Sequence, residues 1–208
     1  MQVTILGASG QVGQQVVRLC LERGHQVVAL VHSQNPFGEQ AGLTIVTGDI
    51  YNQADIKTAV SGSQAVISTL GSWHTEHKNI LESALRSLIP AMEQQGIKRI
   101  ITVTGAAALW SGDRPGFFDR TSRAVLYLIA PKILRDGEAH LAQLAASSLD
   151  WTSIRSPSMT KKQQTSYTLR NKLPFGLTII PRVAVATALV DQLERNDFLQ
   201  QAPVIYGR

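Results

Sequence analysis

Short apolar runs alternate along this chain with longer stretches in which apolar residues recur every three or four positions. The runs predict strands over 2–6, 26–31, 43–47, 65–70, 98–104 and 150–155, with a further one over 203–206. The periodic stretches predict helices over 11–23, 54–60, 76–95, 132–147 and 182–195. In the third of these, Leu81, Leu85, Leu88 and Met92 form a core-facing stripe, and Pro90 predicts a kink or a break. Continuous apolar strands that alternate with amphipathic helices call for an α/β architecture, a doubly wound parallel sheet covered on both faces. Two stretches resist this pattern. Residues 105–131 carry Gly105, Gly112, Pro115, Gly116 and Pro131, and residues 156–181 carry Pro157, Pro174, Gly176 and Pro181. Both follow strands, and ligands of an open parallel sheet bind beyond the strands' carboxyl ends. We read them as substrate-side segments, the second forming a small C-terminal lobe.

The chain has 208 residues, which suits one domain over 1–208 that buries about 70% of its unfolded surface. Its hydrophobic share of 44% and charged share of 17% are those of an ordinary soluble globule. The one cysteine, Cys20, falls on an apolar helix face and reads as a buried structural thiol, which fits a cytoplasmic location. The first strand begins at residue 2, so no signal peptide is expected, and the apolar run at 124–130 is too short to span a bilayer. The net charge of +5 is concentrated in 151–190, where Arg155, Lys161, Lys162, Arg170, Lys172 and Arg182 meet no acidic residue. Such a lobe attracts an anionic ligand or is simply a solvated surface. No nucleic-acid motif accompanies it. A small-molecule partner is expected, with neither nucleic acid nor membrane.

The segment Gly7-Ala8-Ser9-Gly10-Gln11-Val12-Gly13 joins the first strand to the first helix. Glycine removes the Cβ atoms that keep a pyrophosphate off the backbone, and the helix start presents free N–H groups and the positive end of its dipole. Gly13 lets the helix lie close to the sheet. The context of strand, turn and helix makes this a dinucleotide site rather than an ordinary turn. The second strand ends at His32-Ser33 with no acid to hold a ribose 2′-hydroxyl, which favours NADP(H) over NAD(H), although no Arg or Lys stands there either. His32 is a contact for phosphate or adenine, or an exposed loop histidine. Asp49, beside Ile50 after the third strand, meets an adenine amino group or serves as a turn residue. Thr69-Leu70-Gly71 ends the fourth strand, and Thr102-Val103-Thr104-Gly105 ends the fifth, near the expected nicotinamide. His74 and His77 lack an evident third ligand, so no metal is expected. Glu138 and His140 read as surface or cap residues, and Trp73 and Trp151 as packing residues.

With these positions in view, the chain resembles the short, atypical members of the short-chain dehydrogenase/reductase superfamily, in particular the NAD(P)H-binding group that contains flavin reductase/biliverdin-IXβ reductase (NmrA-like). The matching stretches are GASGQVG at 7–13, LVH at 30–32, TGDIYNQADI at 47–56, STLGS at 68–72, GIKRIITVTGAAALW at 96–110 and SSLDWTSIRSPSM at 147–159. The resemblance implies a Rossmann fold that holds NAD(P)H. It places Ser9, Gly10, Gln11 and Val12 at the pyrophosphate and Asp49 and Ile50 at the adenine. Leu70, Gly71, Val103 and Thr104 line the ribose and nicotinamide, and Ser156 and Pro157 border the nicotinamide.

The departures bear on chemistry. Short-chain dehydrogenases use a Tyr-x-x-x-Lys pair in which lysine lowers the phenol's pKa. Here Tyr127 and Lys132 are five apart with Pro131 between them. Gly105, Gly137 and Ser158 stand where the subgroup carries serine, histidine and histidine. Flavin and quinone reduction tolerates these losses, because the hydride comes from the cofactor and solvent can supply the proton. Trp110, Phe117, Phe118, Met159 and Tyr167 are candidates for the acceptor wall, and Thr104 and Ser158 for donors to the acceptor. The expected activity is NAD(P)H-dependent reduction of a flavin-like, quinone-like or other conjugated acceptor. The rivals are a non-catalytic NAD(P)-binding redox sensor that regulates a partner protein and an epimerase or dehydratase. The short C-terminal lobe argues against the last.

Overall fold

The computed structural model describes the chain except for Gln34, His74, Glu76, residues 173–177 and Arg208, together with the side chains of Phe117, Phe118, Asp119, Ser122 and Leu126. In chain order the elements are β1 (Gln2–Leu6), α1 (Gln11–Glu22), β2 (Gln26–Val31), β3 (Leu43–Thr47), α2 (Gln53–Val60), β4 (Ala65–Ser68), α3 (Ile80–Gln94), β5 (Arg99–Gly105), α4 (Phe117–Ile129), α5 (Pro131–Ala146), β6 (Asp150–Ser156), β7 (Ser158–Thr160), β8 (Tyr167–Arg170), β9 (Ile179–Pro181), α6 (Arg182–Asp191) and β10 (Val204–Gly207).

Eight strands form one sheet in the order β3-β2-β1-β4-β5-β6-β10-β8. All pairs in it are parallel except β10 with β8. The chain reverses its direction of travel across the sheet between β1 and β4, the switch point of a doubly wound Rossmann fold. Strand alternation divides the core. Val3 and Ile5 of β1, Ile67 of β4 and Ile101 and Val103 of β5 meet Val16, Val17 and Cys20 of α1 and Ala184–Val190 of α6. Leu6, Val66, Ile100 and Trp151 point the other way, onto Ile56 of α2, Leu85 and Leu88 of α3 and Leu141 of α5. The parallel β7–β9 pair forms a small second sheet before α6.

Three expectations need correction. Pro90 does not break α3, which runs unbroken from Ile80 to Gln94. The carbonyl that Pro90 leaves unpaired belongs to Arg86, an exposed residue within reach of water. Segment 105–131 is not irregular throughout, since it contains α4, and segment 156–181 contributes β7, β8 and β9. Trp73 is not a packing residue: it is 61% exposed.

Candidate functional site

The glycine turn at the carboxyl end of β1 is held by backbone and neutral polar groups. Gly7 sits at φ +72°, a left-handed conformation that a side chain strains. Its carbonyl accepts from Gly10 N at 3.0 Å. Thr69 Oγ1, at the end of the adjacent β4, donates to the carbonyls of Leu6 and Gly7 at 3.0 Å each. Gln14 Nε2 donates to Ser9 O at 2.8 Å. These two side chains brace the turn. The sequence placed Thr69 beside a cofactor and gave Gln14 no role. A Cβ on Gly13 would lie 2.8 Å from Ala8 Cα and closer still to Gly7 O, so α1 approaches the turn as only glycine allows. The residue before the helix is Gly10, and no acidic residue stands in the first turn. The N–H groups of Gln11, Val12 and Gly13 therefore lack both intrahelical acceptors and a side-chain cap. Ser9, Gly10 and Gln11 are exposed. The arrangement is a cradle for an anion.

The ends of β2 and β3 meet beside it. His32 Nε2 lies 3.8 Å from Asp49 Oδ2, and both side chains reach solvent. Asp49 Oδ1 accepts from Tyr51 N at 2.9 Å, so Asp49 shapes its own turn while leaving one oxygen toward His32. Ser33 is exposed and Ile50 half-buried at the same edge.

Further along the edge, Leu70 is buried while Gly71 and Gly105 are exposed. Val103 faces the core under α1 and α6. Thr104, one residue on, points to the opposite face. It is 6% exposed, and its hydroxyl has no hydrogen-bond partner among the described residues. A Cβ on Gly137 of α5 would come 2.8 Å from Thr104 Oγ1 and 3.0 Å from Ala108 Cβ. Glycine at 137 thus makes room for this hydroxyl without bonding it. A buried hydroxyl without a partner costs free energy until something bonds it.

Beneath Thr104 lies a polar chain. Thr102 Oγ1 donates to Ser153 Oγ at 2.8 Å and sits 2.9 Å from His140 Nε2. Contrary to the surface reading, His140 is buried, and burial pushes its imidazole down to about 4. Asp136, one turn earlier, accepts from Ser72 Oγ at 2.7 Å, Glu82 N at 2.9 Å and Leu81 N at 3.2 Å. It caps α3 from another helix, and burial raises its carboxyl above the usual range despite those donors.

The segment after β5 is clasped by charge. Arg155, counted in the basic lobe from sequence, is fully buried and unavailable to a ligand. Its Nη1 and Nη2 donate to Asp113 Oδ2 and Oδ1 at 2.6 and 2.8 Å, Nη1 also to Ala108 O at 3.0 Å, and Nε to Ala202 O at 2.7 Å. Trp110 stacks edge-on to Trp151 at 5.7 Å and so packs against the core. Glu138 is half-buried, ion-paired with Arg123 and in reach of Leu109 N, not a free surface residue. Ser156 Oγ donates to Pro157 O at 3.0 Å, while Ser158 is exposed and Met159 packs on the α1/α6 core. Tyr167 leaves the acceptor wall. Its hydroxyl donates to Asp191, whose other oxygen accepts from Arg23 at the far end of α1 from the glycine turn. Burial raises that phenol above its usual range. The side chains of Phe117 and Phe118 lie outside the described residues, as does His74. His77 is exposed and stacks edge-on to Tyr51. Among the described residues no cluster of three potential metal ligands occurs. Tyr127 stands between the guanidinium groups of Arg123 and Arg135, at 5.2 and 5.7 Å, rather than beside a lysine.

A sheet of this order with an anion cradle at its switch point defines a dinucleotide-binding Rossmann protein. The NAD(P)H-binding family model matches residues 7–196, and the chain belongs to that family. Among curated relatives, the photosystem II assembly factor Ycf39 of Synechocystis sp. is 32% identical over 106 residues, 49% of this chain and 32% of its own length. The matched stretches span about a third of the length of the first such relatives. A wide-type short-chain dehydrogenase/reductase from Veillonella parvula, solved with NADP, superposes with a TM-score of 0.79 at 20% identity, covering 99% of this chain and 94% of its own. SP1627 of Streptococcus pneumoniae, a proposed NADH-flavin reductase, gives 0.78 at 20% identity with 100% of both chains covered. These likenesses confirm the Rossmann fold expected from the alternating pattern.

Proposed function

We propose that the protein is an NADPH-dependent reductase of a flat conjugated acceptor, flavin-like or quinone-like. The observation that carries this reading is the glycine turn at the switch point of the sheet, with uncapped N–H groups at the start of α1, in a chain of the NAD(P)H-binding family. The residues fit the dinucleotide: uncapped N–H groups open the first turn of α1, and the helix is held against the glycine turn at a distance that no Cβ on Gly13 would permit. Ser9–Val12 would hold its pyrophosphate, Asp49 and Ile50 its adenine, and His32 and Ser33 the 2′-phosphate. Leu70, Gly71, the backbone of Val103, Ser156 and Pro157 would line the ribose and nicotinamide. When bound, the dihydronicotinamide supplies a hydride. Thr104, on turning its hydroxyl out from under Gly137, would donate a hydrogen bond to the acceptor atom on which negative charge develops, and solvent delivers the matching proton. Ser158, exposed at the start of β7, is a second donor at the rim.

Calorimetric titration with NADPH and NADH, followed by NADPH oxidation against flavins and quinones, tests the reading. Thr104→Val is expected to leave NADPH affinity within about twofold and to lower turnover about tenfold. No oxidation above background across the panel would leave binding without catalysis. That outcome is the second reading, a redox sensor that regulates a partner. It draws support from Tyr127, which faces arginines instead of a lysine, and from the assembly-factor relative.

A further inference from the structure

Helix α4 carries an apolar ridge on its solvent side. Val125, Leu128 and Ile129 are 54%, 85% and 72% exposed, and their spacing puts them along one side of the helix. Among the described side chains of the helix, Arg123 ties it to the protein, pairing with Glu138 of α5 and lying over Tyr127. A surface helix usually keeps such residues against the core, so an exposed row of three calls for a partner. Trp73 adds a fourth large exposed apolar side chain. It flanks the same end of α5, since its neighbour Ser72 bonds Asp136 and Ile129 stands just before Pro131. Exposed cations border the ridge, with Arg114 and Arg120 toward its beginning and Lys132 just past its end. Among the described side chains, the nearby carboxylates of Asp113 and Glu138 are committed to Arg155 and Arg123.

The charge pattern selects the occupant. A second copy packed antiparallel across a two-fold axis would set Arg120 against Lys132 at both ends. An anionic surface meets cations at both ends without that conflict. We infer that the ridge of α4 docks the protein on an anionic lipid bilayer, with Val125, Leu128 and Ile129 entering the boundary between headgroups and acyl chains. This departs from the expectation of no membrane partner. That expectation rested on the length of apolar runs, and among the described residues no helix is long and apolar enough to cross a membrane. Run length tests spanning; it does not test lying on a surface. The inference stands apart from the reductase reading, because vesicle binding and dinucleotide binding are measured separately.

Flotation of the full chain with vesicles of phosphatidylglycerol and phosphatidylcholine, and with phosphatidylcholine alone, tests it. Wild type is expected to float with the anionic vesicles at least about tenfold more than with the neutral ones, and to be released as salt rises toward about 0.5 M. Leu128→Glu should abolish flotation with an unchanged circular dichroism spectrum and unchanged NADPH affinity. Lys132→Glu should weaken it severalfold. Absence of flotation by wild type, or flotation that Leu128→Glu leaves intact, overturns the inference. So does a dimer in sedimentation that Leu128→Glu splits, which would give the ridge to a second copy. Binding only to an acidic helical peptide would give it to a protein partner and overturn the inference equally.

Discussion

The turn after β1 and the segment after β5 leave the same edge of the sheet, yet they are fixed by opposite means. The first is built from backbone: Gly7 in the left-handed region, Gly13 pressed on Ala8, and a carbonyl shared by Gly10 and Thr69. The second hangs from charged side chains of distant elements, with Arg155 of β6 on Asp113 and Arg123 of α4 on Glu138 of α5. A backbone-built site tolerates most side-chain changes and fails when a Cβ intrudes. A charge-built one tolerates shape changes and fails when one partner is lost.

Four measurements break or sharpen that contrast. The largest effect belongs to Gly13→Val, whose branched side chain must occupy the space of Gly7 O and Ala8. It should abolish measurable NADPH binding in calorimetry or unfold the chain. Retained affinity would mean the cradle does not hold the dinucleotide. Asp113→Ala strands the buried Arg155 guanidinium, and urea denaturation should show a loss of about 3–5 kcal/mol. NADPH should still bind the folded fraction, since the cradle is untouched.

The third effect depends on pH. An unfolded imidazole titrates at about 6.5 and buried His140 at about 4. The folded state therefore refuses a proton that the unfolded chain accepts. This contribution is complete above pH 6.5 and disappears as pH falls to about 4, roughly 3 kcal/mol in all. Urea midpoints between pH 4 and 7 should fall more steeply for wild type than for His140→Gln, and parallel curves would refute the assignment. Smallest is His32→Ala. Its side chain is largely exposed, so NADPH affinity should weaken by less than about fivefold and NADH affinity not at all.

The same division explains what could be read in advance. β1, β2 and β3 were placed at their observed ends, because parallel strands buried on both faces write themselves as unbroken apolar runs. The glycine turn was legible because its logic is local, a spacing of glycines between a strand and a helix. Helix α4 was not, because Gly105, Gly112, Pro115, Gly116 and Pro131 mark its segment as irregular although the helix itself is strongly amphipathic. Arg155 and His140 were misplaced for another reason. Each looks like a surface residue until Asp113, 42 positions away, or Thr102, 38 away, is brought beside it. Asp136 serves as a brace through Ser72, Leu81 and Glu82, partners that no short window of sequence contains.

Cys20 has a practical consequence. The lone thiol is sealed between α1 and α6, and burial pushes it up to about 12, so the native chain offers no thiolate to a reagent. Alkylation must wait until that helix layer lifts, and its rate becomes a clock for such openings. Because α1 carries the cradle at its other end, a nucleotide that grips there should slow the clock, giving an occupancy assay that needs no label.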